Sequence, residues 1–218
     1  MAGSRVLDLL GSRDALIVLD TMSSAVPSGE AIQAIGADGA YRAKRWLEGT
    51  TRVLHVWTNP EDESKLTFAW ADGSHFSFDV GGTLQGGDLH GKNFYAEVKK
   101  YAAAGDQGVE YRKYLAKCYL ALQQRPEWCD HFMWITWAPF SVSKWPELMT
   151  TDYVYDAVQT HRDRVLPTDA APDATHCQDV ASRLWLIVLS DKQEVLRLTD
   201  DERGEIMKLR IKAEGHQW

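Results

Sequence analysis

The stretch HFSFDVGGTLQGGDLHGKNFYAEVKK, residues 75–100, constrains this chain more than any other. Phe76, Phe78 and Val80 alternate with His75, Ser77 and Asp79, and Phe94, Ala96 and Val98 alternate with Tyr95, Glu97 and Lys99. Side chains along a strand alternate between faces, so each run offers one apolar face and one polar face. Between the runs, GGDLHGKN supplies three glycines and an asparagine, residues suited to a hairpin loop. Folding the segment about a midpoint near Asp88 sets Asp79 opposite Glu97, with Lys99 two positions along the same face. An acid facing Glu-x-Lys is the arrangement of a metal-dependent phosphodiesterase: carboxylates for a hard cation and an ammonium for developing negative charge.

The rest of the chain has to supply layers for that hairpin. Arg5–Leu19 has helical character, and Glu30–Ile35 and Tyr41–Glu48 are expected to be helical, the last stopped by Gly49. Thr51–Trp57 and Lys65–Trp70 read as strands. Gly108–Gln124 reads as a helix with Val109, Leu115, Cys118, Tyr119 and Leu122 on its core-facing stripe. Asp130–Trp137 is apolar on both alternating faces, which predicts a central strand covered on each side. Strand, helix and strand from 94 to 137 then form a parallel crossover. Ser143–His161 is expected to be helical. Thr175–Leu189 fits a helix or, in its second half, a strand. Thr199-Asp-Asp-Glu202 is a capping box that starts a terminal helix.

Length and charge narrow the partners. A chain of 218 residues holds one domain with a full core. Its longest apolar run, Leu184–Leu189, is far below the ~20 residues of a membrane helix, so no membrane role is expected. Arg and Asp interrupt the apolar residues near the start, unlike a secretory signal. Three cysteines without metal-ligand spacing fit a reducing cytoplasm. The net charge of −7 excludes a general nucleic-acid coat. Within residues 90–125, however, seven Lys/Arg face three acids, a patch on which a phosphate backbone can rest. The same lysines equally suit the solvated face of a helix. No phosphate-loop motif is present, so an ATP-driven motor would be a separate chain.

The order of helix, strand, hairpin ending in AEVKKY, helix and buried strand resembles the PD-(D/E)XK nuclease superfamily over residues 38–137. That resemblance implies an α/β fold with a restriction-endonuclease-like mixed central sheet flanked by helices. Residues 1–37 would then be an N-terminal extension, 38–140 the nuclease core, and 141–218 a helical C-terminal part packed on the same domain. It implies Mg²⁺ (or Mn²⁺) held by Asp79, Glu97 and the backbone carbonyl of Val98, with Lys99 acting on the attacked phosphate. Gln107 and Tyr111 are similar to the Gln-x-x-x-Tyr of RecB-type members, where it borders the site, although Tyr111 also suits a plain core position. Asp88 competes with Asp79 as first acid; Asp79 is preferred because it alternates with Phe78 and Val80, whereas Asp88 sits among glycines. Where many members carry a helix glutamate this chain has Ala40, with Glu30 and Glu48 nearby, so a second metal position is left open. His55, His75, His131 and His176 lack ligand spacing, though His75 shares the face of Asp79.

The expected function is metal-dependent cleavage of DNA, in a defence or repair setting, by a homo-oligomer or beside a separate ATPase or translocase. Trp128, Trp145, Tyr153 and Tyr155 are candidates for that partner contact. The competing expectation is a nuclease-fold subunit that binds nucleic acid or a partner protein with little or no cutting.

Overall fold

The computed structural model describes residues 29–100 and 105–213, with side chains from residue 34 onward. The helix expected over Arg5–Leu19 lies outside these residues. In chain order the elements are α1 (Gly29–Gly49), β1 (Val53–Thr58), α2 (Glu63–Leu66), β2 (Thr67–Ala69), β3 (His75–Ser77), β4 (Val80–Leu84), β5 (Asn93–Lys99), α3 (Gln107–Gln124) and β6 (His131–Thr136). There follow α4 (Thr151–Thr160), α5 (Arg162–Val165), α6 (Ala174–Ser182), β7 (Leu184–Val188), α7 (Asp191–Val195) and α8 (Asp200–Ala213). The five-stranded sheet runs β1-β4-β5-β6-β7, antiparallel from β1 to β5 and parallel from β5 to β7. The protein is therefore α/β, with a mixed sheet between helices.

Residues 75–80, expected as one strand, divide between two sheets. Phe78 donates its amide to Leu66 O and Asp79 donates its own to Ala96 O, so consecutive N–H groups serve different neighbours. Strand N–H groups alternate in direction, and here each direction finds a different partner. β3 thus pairs with β2 in a small hairpin while β4 enters the central sheet. Within the central sheet Gly82 of β4 permits a close approach of its neighbours: a Cβ there would sit 2.3 Å from His55 O and 2.6 Å from the Phe94 ring.

One face of the sheet carries the larger core. Phe78, Tyr95, Phe132 and Trp134 meet Tyr111, Tyr114 and Leu115 of α3, with α4 and α6 behind. On the other face Ala40, Ala43 and Leu47 of α1 lie against Val80, Ala96, Val98 and Ile135. Their i, i+3, i+7 spacing forms one helical face, and the alanines let the helix lie close to the strands. β6 sends Phe132 and Trp134 to the first core and Met133 and Ile135 to the second, as its two-sided apolar pattern predicts. The parallel β5-α3-β6 crossover is also as expected.

Several elements differ from their expected form. Glu30–Ile35 and Tyr41–Glu48 are parts of a single helix, α1, which runs through the 37/38 boundary expected between extension and core. Residues 63–66 are helical before β2 begins. Val109 is 63% exposed rather than core-facing, and Tyr111 and Tyr114 take up the stripe further along α3. The helix over Ser143–His161 is a 3-10 segment, Val142–Glu147, followed by α4. Thr175–Leu189 resolves into α6 and β7, so the C-terminal part adds an edge strand to the sheet as well as helices. The capping box is present: Thr199 N donates to Glu202 Oε2 at 2.8 Å and Glu202 N to Thr199 Oγ1 at 3.3 Å. Among the aromatics expected at a partner surface, Trp128 is 52% exposed, whereas Tyr153 is buried and Trp145 and Tyr155 pack on the core. No described helix is long and apolar enough to cross a membrane.

Candidate active site

β5 turns from core to chemistry along one face. Tyr95 is buried among Phe68 and Phe78, Glu97 follows two positions on, and Lys99 two beyond that. The antiparallel register pairs Val80 with Ala96, which places Asp79 across from Glu97, as folding about Asp88 implies. Because β4 starts only at Val80, the Val98 amide on that edge has no strand carbonyl to meet. Asp79 Oδ2 takes the place of one, accepting from Val98 N at 2.7 Å. An N–H and C=O of one strand residue share an edge, so the Val98 carbonyl points into the same gap.

Glu97 is only 6% exposed and both its oxygens are engaged. Lys99 Nζ donates to Oε1 at 2.9 Å, and Lys117 Nζ, reaching in from α3, donates to Oε2 at 2.8 Å. Lys117, itself 8% exposed, also donates to Ser77 O at 3.1 Å. Lys99 lies 3.8 Å from Glu110 on α3. Burial raises the cost of ionising Glu97, but Lys117 and Lys99 outweigh it and hold the carboxyl below its ordinary range. Among the described residues no ammonium hydrogen-bonds Asp79. Burial first, then the charge of Glu97, pushes its carboxyl from 3.8 up to about 7, against the opposing pull of the Val98 amide. Two acids in one site thus differ in protonation near neutral pH, a separation typical of functional sites.

The other expected residues are elsewhere. Gln107 is fully buried, donating to Ala138 O at 3.1 Å and accepting from Thr136 Oγ1 at 2.7 Å. It hydrogen-bonds none of Asp79, Glu97 and Lys99, and Tyr111, on the same helical face, donates to Leu148 O. Asp88 is exposed in a 3-10 turn beyond the opposite end of β4. Glu48 pairs with Arg203 at 3.2 Å, while Ala40 is packed on the sheet. The side chain of Glu30 lies outside the described residues. His75 is exposed on the β2–β3 hairpin. Lys117 is the site residue that the sequence reading did not single out. Its signal was local: a lone cation in the run Tyr114-Leu-Ala-Lys-Cys-Tyr-Leu120, where a helix is otherwise apolar all round.

Among the described residues, no three His, Cys, Asp or Glu side chains converge as a ready metal cage. The donor set of Asp79, Glu97 and the Val98 carbonyl is nevertheless all oxygen and suits a hard divalent cation. Asp79 supplies the direct argument for fit. Its ionisation is opposed by burial and by Glu97, and a cation between the two carboxylates would remove that opposition. Each Glu97 oxygen accepts from one ammonium and keeps a second lone pair with which it could ligate.

No protein-family model, curated protein or solved structure matches this chain. The geometry of the site therefore carries the functional argument.

Proposed function

We propose that the protein is a metal-dependent phosphodiesterase acting on DNA, with a restriction-endonuclease-like core and its active centre at Asp79, Glu97 and Lys99. The observation that carries this is the meeting of Asp79 and Glu97 across the β4–β5 edge, with Lys99 on the same face. Asp79, Glu97 and the Val98 carbonyl would hold Mg²⁺ or Mn²⁺. When bound, such an ion polarises the phosphate and supplies a water of lowered pKa. Lys99 sets a positive charge beside the reacting phosphate, where negative charge builds up. Lys117 holds Glu97 ionised and fixes its rotamer, and the aromatic wall of Phe76 and Phe78, whose rings lie about 6 Å from its ammonium, keeps water from that side. Gln107 braces the loop after β6 without contacting the carboxylates.

A second function draws on one observation: both Glu97 oxygens are already taken by ammonium groups. On that basis the chain is a nuclease-fold subunit that binds nucleic acid or a partner protein without cutting. Incubation of supercoiled plasmid with the purified chain separates the two. The proposed enzyme nicks or linearises the plasmid in Mg²⁺ or Mn²⁺ and not in EDTA, and Glu97→Gln removes the activity. Retention of DNA without cleavage in either metal assigns the binding role instead. With a net charge of −7, a second copy or a DNA-translocating ATPase would be needed to hold the enzyme on its target in a defence or repair system. Of the four aromatics expected at that contact, Trp128 is the exposed one.

A further inference from the structure

Unspent positive charge gathers on the other side of α3 from Lys117. An open cavity of about 410 Å³ is lined by Arg112, Lys144, Ser141, Ser143, Tyr153 and Asp106, among others. The Arg112 guanidinium lies 5.5 Å from the Tyr153 ring centroid, and its Nε is buried with no hydrogen-bond partner among the described residues. Lys144 is exposed, and among the described residues no ion pair or hydrogen bond engages its ammonium. A buried donor on a permanent cation is costly to leave unmatched, and the ring beneath it fixes the plane of the guanidinium. Ser141 adopts a left-handed backbone (φ 45°), and its hydroxyl lies 3.3 Å from the point a Cβ on Gly108 would occupy. Asp106 is the one acid of the lining; it is exposed and its side chain makes no capping bond.

The cavity and the proposed active centre border the first turns of the same helix, α3, on different faces, since residues two apart on a helix do not face each other. Arg112 is two residues beyond Glu110, which is 3.8 Å from Lys99. β5 and β6 are parallel and both end where α3 begins, the end of a parallel sheet at which ligands gather. We propose that this cavity seats a phosphate of the DNA strand flanking the one to be cut. Arg112 engages two phosphate oxygens with its planar fork, Lys144 adds a point charge, and the Ser141 and Ser143 hydroxyls are further donors. The inference rests on the nuclease function proposed above and assigns its substrate a second point of contact.

The experiment is equilibrium binding of a fluorescent DNA duplex in EDTA, over a range of salt, to the wild-type chain and to Arg112→Gln, Lys144→Glu and Lys208→Gln. Lys144 is exposed, so its charge reversal leaves the core untouched even if Arg112→Gln weakens the fold. Arg112→Gln and Lys144→Glu are each expected to lower affinity about three- to tenfold at low salt and to flatten the log–log salt slope by about 0.9. Lys208, on α8, should leave both unchanged. Wild-type slopes in the Arg112 and Lys144 variants, with DNA still bound, would overturn the cavity assignment and leave the nuclease function standing. No measurable DNA affinity in the wild type even at low salt would also overturn the cavity assignment, while plasmid cleavage in Mg²⁺ decides the nuclease function separately. Inorganic phosphate that raises the melting temperature of the wild type but not of the variants, with DNA slopes unaltered, would make this a small-anion site and reject the strand contact.

Discussion

Asp79→Asn is expected to make the metal-free protein more stable, by a margin that grows with pH. Asp79 is held at about 7 in the fold against 3.8 ordinarily, so between those values the folded state keeps a proton that the unfolded chain has released. When the unfolded state binds fewer protons than the native one, stability falls as pH rises. The loss begins above the unfolded value and levels off above the folded value. At ~1.4 kcal/mol per pH unit, Asp79 should cost the wild type about 2–3 kcal/mol between pH ~5 and pH ~8. Asparagine titrates nothing and retains a carbonyl that can accept from Val98 N, a bond of 2.7 Å in the native protein. The assay is urea unfolding of both proteins in EDTA across that pH range. The gap between them should widen toward high pH by the stated amount, and added Mg²⁺ should narrow it by letting both carboxylates ionise. A gap that stays constant with pH would refute the claim that burial and Glu97 oppose ionisation of Asp79.

Lys99→Ala should slow cleavage by ~10³ or more, several kcal/mol of transition-state stabilisation, while Asp88→Asn should cut DNA as the wild type does; gel assays with both variants check the choice between the two regions. Lys117→Met should destabilise the fold by about 3 kcal/mol, because it leaves a buried carboxylate with one partner. Pairing it with Glu97→Leu should recover part of that loss in a double-mutant cycle of melting curves. Thr199→Ala should cost α8 about 1 kcal/mol through loss of its cap, read as faster amide exchange in residues 200–213 with cleavage unaltered.

Much of the fold was legible because its signals are local. The two-faced apolar pattern of residues 130–137 could belong only to a covered strand, and Thr199 with Glu202 marked a helix start that the hydrogen bonds bear out. The register that faces Asp79 with Glu97 followed from symmetry about the loop. What could not be read was set by tertiary partners. The break after Phe78 depends on Leu66 O being there to accept its amide, and no pattern within residues 75–80 encodes that. Val109 kept helical spacing yet is exposed in the first turn of α3, on the lining of an open cavity. Gln107 and Tyr111 have the spacing of a site motif, but their polar atoms are spent on Ala138, Thr136 and Leu148. Lys117 stood in view as one of seven basic residues, and only its direction decided that it meets Glu97.

The double bond of Lys117, to Glu97 and to Ser77 O, has a consequence for the order of folding. Asp79, Glu97 and Lys99 belong to one antiparallel hairpin, a pairing of short loop closure, whereas Lys117 arrives only when α3 docks on the sheet. A chain caught between those events brings two acids together with a single neutralising ammonium beside them. The docking of α3 then supplies the missing charge and, through Ser77, fastens the small β2–β3 hairpin to the main sheet in the same step. Lys117→Met should accordingly speed unfolding far more than it slows refolding, the kinetic mark of an interaction made late.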